Sequence, residues 1–140
     1  MIKAVLIDDE RLARNELKKL LMDFPEIEVI GEAANAAEGI EAIENLQPDL
    51  IFLDIKMPDI TGIDFLRSLS SPPMVIFTTA YSEHAVESFE LDAIDYLLKP
   101  FSMVRFLKAC NKAYEAVGRR LRQADDFIFI KSGYEQIRIQ

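Results

Sequence analysis

Short, largely apolar runs recur five times along this 140-residue chain, and a helix-like pattern follows each of them. Continuous apolar runs of this length are typical of strands that are buried on both faces of a sheet. Strands that alternate with amphipathic helices predict a parallel sheet with helices on both sides, which is an α/β fold. The predicted strands are Ala4–Ile7, Val29–Ala33, Leu50–Leu53, Met74–Phe77 and Ala93–Leu98.

Individual residues predict where the helices start and end and which side chains form their apolar faces. Pro25 ends the first helix, because a proline disfavours helical backbone in the residue before it. Asn35 is placed to cap the second helix, whose apolar face includes Ile40. A short, polar fourth helix is expected at about Glu83–Glu90, and Ser102 is placed to cap the last helix.

Composition and charge exclude several classes of protein. The net charge of −8 gives no general electrostatic attraction to nucleic acid. Cys110 is the single cysteine, so no internal disulfide can form, and its place on an apolar helix stripe predicts a core residue. No apolar run approaches the ~18–20 residues that span a membrane. The N-terminus lacks a signal-peptide layout, so a cytoplasmic protein is expected.

The last stretch of the chain departs from the strand–helix alternation. Residues Phe127–Gln140 have the pattern of two strands around a turn that contains Ser132 and Gly133. An isolated hairpin is only marginally stable in water. The stretch therefore either adds to a sheet edge or begins a further β-rich domain. The polar segment before it is typical of a linker, which favours the second interpretation.

Polar side chains follow four of the five predicted strands. Because the carboxyl ends of parallel strands meet at one edge of the sheet, these side chains are expected to converge there, where open α/β sheets bind their ligands. Three carboxylates, two hydroxyl groups and an ammonium then share one crevice. The residues are Asp8, Asp9, Asp54, Thr78, Thr79 and Lys99.

The predicted crevice has a chemistry that follows from its charges. Two carboxylates ~4 Å apart repel by about 4 kcal/mol at an effective dielectric of about 20, so three of them need a cation or a proton. Mg²⁺ fits a site of carboxylates and waters that receives a phosphate, whereas Zn²⁺ does not, since there is no histidine or cysteine cluster. With a metal bound, Asp54 can act as a nucleophile on phosphorus. Lys99 and a threonine hydroxyl can bind phosphoryl oxygens.

This set of spaced motifs resembles the receiver domain of bacterial two-component response regulators. The resemblance covers about residues 1–122 and rests on the acidic pair after the first strand and Asp54 after the third. It also rests on Met57-Pro58 and Gly62 behind Asp54, the Thr79-Ala80 pair, and Tyr96 with Lys99-Pro100. The resemblance implies a flavodoxin-like (βα)5 doubly wound fold, with five parallel strands in the order 2-1-3-4-5.

The resemblance also implies a role for each site residue. Asp54 would accept a phosphoryl group from a sensor histidine kinase. Mg²⁺ would lie on Asp9, Asp54 and the backbone carbonyl of Lys56, with Asp8 acting mostly through water. Thr79 would follow the phosphoryl group, Tyr96 would change rotamer with it, and Lys99 would pair with the phosphate. Thr78 would then have no direct part.

The motifs are similar to those of one receiver group in particular, the LytTR type. The similarity rests on the segments Ile7–Glu10, Phe77–Tyr81 and Ala93–Phe101. It implies a linker at 123–126 and the incomplete start of a LytTR-like DNA-binding domain at 127–140, so that DNA is bound only through that output domain. Phosphorylation would change the face formed by the fourth helix, the fifth strand and the fifth helix, which is also a possible homodimer surface.

Two other functions remain as alternatives. A phosphohydrolase of the haloacid-dehalogenase type also forms an aspartyl-phosphate, but it places a second acid two residues after the nucleophile, where this chain has Lys56. A receiver-shaped binding module that is never phosphorylated is the third possibility. The complete set of acids, threonine and lysine argues against it. The protein is expected to be a phosphoacceptor switch rather than an enzyme that turns over a substrate.

Overall fold

Strands and helices alternate along residues 1–80 and 92–136, the part of the chain that the computed structural model describes, with side chains described as far as Arg120. The strands are β1 (Ile2–Ile7), β2 (Ile27–Ala33), β3 (Leu50–Asp54), β4 (Met74–Thr79) and β5 (Asp95–Leu98). The helices are α1 (Arg11–Leu21), α2 (Ala36–Leu46), α3 (Gly62–Arg67) and a C-terminal helix (Met103–Gln136).

The five strands form one parallel sheet in the order β2-β1-β3-β4-β5. This confirms the predicted doubly wound, flavodoxin-like α/β class and its strand order. The central strand β3 is buried along its whole length, and Phe52 pairs in register with Leu6 on one side and Ile76 on the other. The strand order brings the carboxyl ends of β1, β3, β4 and β5 side by side.

Two apolar layers cover the sheet, one on each face. On one face Leu17 and Leu21 of α1, with Phe106 and Cys110 of the C-terminal helix, pack on the sheet side chains. The Phe52 and Phe106 rings stack there at a centroid separation of 5.8 Å. On the other face the apolar side chains of α2 and α3 do the same. Burial of each such large side chain stabilises the fold by about 1.5–3 kcal/mol.

The predicted caps of two helices are present. The Asn35 side chain accepts a hydrogen bond from the Glu38 amide at the start of α2, and Ser102 Oγ accepts one from Arg105 at the start of the C-terminal helix. The predicted inner position of Ile40 is wrong, because Ile40 is exposed and Gly39 is buried instead. A Cβ at Gly39 would lie 3.0 Å from the Phe65 ring, so this ring fills the space that a larger inner residue of α2 would need.

The predicted hairpin near the C-terminus is wrong over the described residues, whereas the division into a receiver, a linker and an output domain stays a prediction. The C-terminal helix continues without a break to Gln136, through the expected linker and the first part of the expected hairpin. A helix satisfies its backbone hydrogen bonds within one segment, whereas a hairpin needs further strands or a packed face to be stable alone. Residues 137–140 and the helix predicted at 83–90 lie outside the described residues. Among the described helices, none is both long and apolar enough to cross a membrane.

Candidate acidic site at the carboxyl edge of the sheet

The first part of the site is the turn that connects β1 to α1. Asp8 continues the sheet by donating its amide to the Ala33 carbonyl at 3.0 Å, and its side chain is buried. Its Oδ1 accepts a hydrogen bond from the Glu10 amide at 2.9 Å, which closes the turn. Carboxylate oxygens of Asp8, Asp9 and Glu10 lie within 4.8 Å of one another. The turn therefore presents a cluster of hard oxygen atoms beside the end of β1.

Asp54 and Lys99 bring the neighbouring strand ends into the same site. The Lys99 ammonium lies 3.0 Å from Asp8 Oδ2 and 3.8 Å from Asp54 Oδ2. The other carboxylate oxygen of Asp54, Oδ1, accepts the backbone amide of Lys56 at 3.1 Å. One cation thus bridges the carboxylates of β1 and β3, and its closer partner is Asp8.

The net effect of burial and charge is to raise the pKa of both groups, which disfavours the charged form of Asp54 and favours the charged form of Lys99. Burial, the largest effect, raises the pKa of Asp54 to about 6, and the charges of Asp8 and Asp9 act in the same direction. Lys99 and the amide of Lys56 oppose this rise and do not cancel it. For Lys99, burial acts to lower the pKa, but the carboxylates of Asp54 and Asp8 outweigh burial and raise it. At neutral pH the site therefore holds an ammonium ion and an aspartate whose ionised form is poorly stabilised.

The ends of β4 and β5 complete the edge. Thr78 and Thr79 are both buried, and Asp54 pairs in register with Thr78 across the strands. The Thr79 carbonyl accepts the Lys99 amide at 2.6 Å, so the backbone that carries Lys99 is attached to the end of β4. The peptide bond between Lys99 and Pro100 is cis. Tyr96 is partly buried in β5.

Gly62 allows the backbone behind Asp54 to fold closely. Its amide donates to the Ile55 carbonyl at 2.6 Å. A Cβ at Gly62 would overlap the Asp54 carbonyl oxygen and would lie 2.9 Å from the Ile55 Cα. Any larger residue would displace the end of β3, so this glycine positions Asp54 by the absence of a side chain.

The structure brings most of the predicted site residues to one edge, and it adds two. The sequence interpretation assigned no metal-binding role to Glu10, although it directly follows the acidic pair and could have been included on that ground. It also missed Arg14, whose Nη1 donates to the Asp8 carbonyl at 2.6 Å. The period of an amphipathic helix does not reveal a contact of this kind.

The donor set fits a hard divalent cation. Carboxylate oxygens are the ligands that Mg²⁺ prefers, and the cluster among the described residues that could hold a metal ion consists of aspartate and glutamate alone. The mutual repulsion of these charges is the physical reason for the cluster to take up a cation. Lys99 partly neutralises Asp8 but leaves Asp9 and Glu10, both exposed, open to solvent.

A parallel sheet in this order, with acids after β1 and β3 and a lysine after β5, defines the receiver class of signalling domains. Residues 4–111 match the family model described as the response regulator receiver domain, so the chain belongs to that family. The response regulatory domain of mrkE from Klebsiella pneumoniae has a similar structure, with a TM-score of 0.77 at 32% identity over 84% of this chain and 99% of that one.

Curated relatives place the chain among regulators of the LytTR type. It is 50% identical over 114 residues to an uncharacterized response regulatory protein of Vibrio cholerae, covering 80% of this chain and 48% of that protein. It is 42% identical to the sensory transduction protein LytT of Bacillus cereus, covering 80% of this chain and 47% of that protein. It is 46% identical to the transcriptional regulatory protein BtsR of Escherichia coli, covering 77% of this chain and 46% of that protein. The chain spans about half the length of these relatives.

Proposed function

We propose that Asp54 is the phosphoacceptor of this receiver domain and takes its phosphoryl group from a sensor histidine kinase. The observation that supports this most strongly is the contrast between the burial of Asp54 and its incomplete pairing. The residue is 5% exposed, yet its nearest described cation stands 3.8 Å away and pairs more closely with Asp8. Titratable groups with a perturbed pKa and a defined charged partner are concentrated at functional sites.

The chain's own residues define how the transfer proceeds. With a pKa of about 6, Asp54 is largely ionised at neutral pH and can offer an oxygen to phosphorus. That oxygen forms the new bond as the donor's bond to phosphorus breaks. The amide of Lys56 holds the other oxygen, and the Lys99 ammonium stands where it can shift toward the incoming phosphoryl group. Thr79 supplies the hydroxyl that binds a phosphoryl oxygen, and Tyr96 responds to it.

Mg²⁺ is the cofactor that the acidic cluster would hold. Asp8, Asp9 and Asp54 would supply carboxylate oxygens, and the Lys56 backbone carbonyl a further ligand. When bound, the ion neutralises negative charge on the transferring group. Without it, the mutual repulsion of these carboxylates opposes the approach of an anionic phosphoryl donor.

The phosphorylated domain would regulate transcription through a C-terminal output domain. Relatives about twice as long as this chain, one named a transcriptional regulatory protein, support an output domain after the receiver at 1–122, and the domain we propose is a LytTR-like DNA-binding domain. The changing surface would comprise β5, the C-terminal helix and residues 83–90. Leu98 and Val104 are exposed apolar side chains on these elements, which suits a homodimer contact. The protein would work in the cytoplasm.

Mass spectrometry of the intact chain tests the proposal. Incubation with acetyl phosphate and Mg²⁺ should add one phosphoryl group, about 80 Da, and Asp54→Asn should abolish the gain. Asp95→Asn is the matched control, since Asp95 is equally buried but makes close ion pairs, and it should be phosphorylated like the wild type. No mass gain in the wild type, or an equal gain in Asp54→Asn, would refute the assignment.

A further inference from the structure

A single guanidinium joins the acidic turn to the body of the fold. Arg14, near the start of α1, donates from Nη1 to the backbone carbonyl of Asp8 at 2.6 Å and from Nε to Glu32 Oε1 at 3.0 Å. Its side chain is only 14% exposed, so both bonds are largely shielded from bulk water. We propose that Arg14 is a positioning residue for the cation site, which holds the Asp8–Asp9 peptide so that its carboxylates converge. This inference rests on the proposed function.

The bond to a carbonyl has a specific geometric consequence. A peptide unit is planar, so fixing the Asp8 oxygen fixes the plane that leads into Asp9. The Cα atoms of Asp8 and Asp9 both lie in that plane, so it fixes the points from which the two side chains extend. Lys99, by contrast, binds Asp8 through a carboxylate oxygen and competes there with any cation. Arg14 places a positive charge beside the cluster, and its described bonds to Asp8 and Glu32 use no carboxylate oxygen of the turn.

Glu32 on β2 orients the guanidinium, and it also pairs with a second cation. Lys18, one helical turn after Arg14, lies 2.7 Å from Glu32 Oε2. The hydrogen bond from Lys18 is the largest effect on the pKa of Glu32 and lowers it. Burial opposes this effect, and the hydrogen bond from Arg14 adds to it. Lys18 is 40% exposed, and its described bonds end at Glu32 without reaching the turn. It shares the partner of Arg14 but not the contact with Asp8, which makes it a matched control.

Calorimetric titration of the whole chain with Mg²⁺ tests the role. Arg14→Met should weaken Mg²⁺ binding about tenfold, the usual order for a residue that orients ligands from behind. Lys18→Met removes a surface pair with Glu32 and should change the Kd by less than about twofold. Equal Kd values for the two variants would overturn the proposal.

A second variant and a metal-free readout keep the test decisive. If circular dichroism shows that Arg14→Met is unfolded, Arg14→Lys replaces it, because lysine keeps the charge without a planar fork for two partners. A wild-type Kd in Arg14→Lys would overturn the proposal. In NMR spectra recorded without metal, the amide resonances of Asp9 and Glu10 should shift in Arg14→Met and stay in place in Lys18→Met. A wild type that does not bind Mg²⁺ would contradict the cation site itself, whereas normal binding in Arg14→Met contradicts only the role of Arg14.

Discussion

Asp54 and Asp95 are two buried aspartates with the same exposure, 5%, and opposite surroundings. Asp95, at the start of β5, receives both guanidinium nitrogens of Arg105 at 2.7 Å and the Lys112 ammonium at 3.2 Å. Burial acts to raise its pKa, but the hydrogen bonds from Arg105, the Tyr96 amide and Lys112 outweigh burial and lower it. Asp54 shares one lysine with Asp8, and its pKa rises to about 6.

The difference shows that burial alone does not make a carboxylate reactive. Asp95 exchanges its hydration for a bidentate ion pair, so its charge is satisfied and its role is structural. Asp54 loses its hydration without a comparable partner among the described residues, so its charge stays poorly compensated. The two residues should therefore respond with opposite signs to the same substitution.

Asp54→Asn should stabilise the metal-free fold at neutral pH, and this is the largest effect we expect. The unfolded chain releases the Asp54 proton near the usual pKa of 3.8 and the folded chain near 6, so stability falls as the pH rises through that window. The difference between the two pKa values corresponds to a loss of about 3 kcal/mol in the free energy of unfolding above pH 6. Urea unfolding at pH 7.5 should show a gain of about 1–3 kcal/mol in the variant. The gain should vanish near pH 4; a gain at pH 4 equal to that at pH 7.5 would contradict this origin.

Asp95→Asn should destabilise the fold by about 2 kcal/mol at pH 7.5, the opposite sign. Removing one partner of a buried ion pair usually costs more, about 3–5 kcal/mol, but the remaining Arg105 and Lys112 are partly exposed and can be hydrated. Because the folded pKa of Asp95 is lowered, its stabilising contribution is present above its unfolded pKa and is lost as the pH falls through the folded value. The same urea experiment measures the free energy of unfolding of Asp95→Asn. A variant more stable than the wild type would contradict the opposite signs expected for the two aspartates.

Mg²⁺ should raise the thermal midpoint of the chain through the site that contains Asp54. Binding to the folded state alone adds RT ln(1 + [L]/Kd), or about 1.4 kcal/mol at ten times the Kd. The rise should be lost in Asp9→Ala and kept in Asp95→Asn, since Asp95 is not part of the acidic cluster. An equal rise in Asp9→Ala would place the cation elsewhere.

Lys112→Met should have the smallest effect, a loss of less than about 1 kcal/mol in the free energy of unfolding. The Lys112 side chain is 46% exposed and makes one ion pair with the described residues, while Arg105 retains its two bonds to Asp95. Chemical denaturation of wild type and variant in parallel measures the difference. A loss as large as that of Asp95→Asn would mean that Lys112, rather than Arg105, neutralises the buried carboxylate.

The fold and most of the site follow from local patterns in the sequence. A fully apolar β3 that ends at Asp54, and the caps at Asn35 and Ser102, are short-range signals, and the structure confirms them. The convergence of the strand ends follows from the rules of parallel α/β sheets, whereas the order of the strands is implied by the resemblance to receiver domains.

The features that could not be predicted depend on tertiary contacts. Gly39 has no apolar side chain to reveal that it faces the core, and the Phe65 ring that fills its space comes from another helix. The bond from Arg14 to Asp8 joins two different segments, and so does the pairing of Asp95 with Arg105. The apolar pattern of a segment predicts its own secondary structure but not its polar contacts with another segment. The pattern after residue 126 predicts strands, yet the described backbone is helical as far as Gln136.

The most direct test of the distinction between the two aspartates is to locate the phosphoryl group on the chain. After incubation with acetyl phosphate and Mg²⁺, reduction of the acyl phosphate with borohydride marks the modified residue, and peptide mass spectrometry then identifies it. We predict a mark on Asp54 alone, in the wild type and in Asp95→Asn. A mark on Asp8, Asp9 or Asp95 would contradict the assignment of Asp54 as the reactive carboxylate.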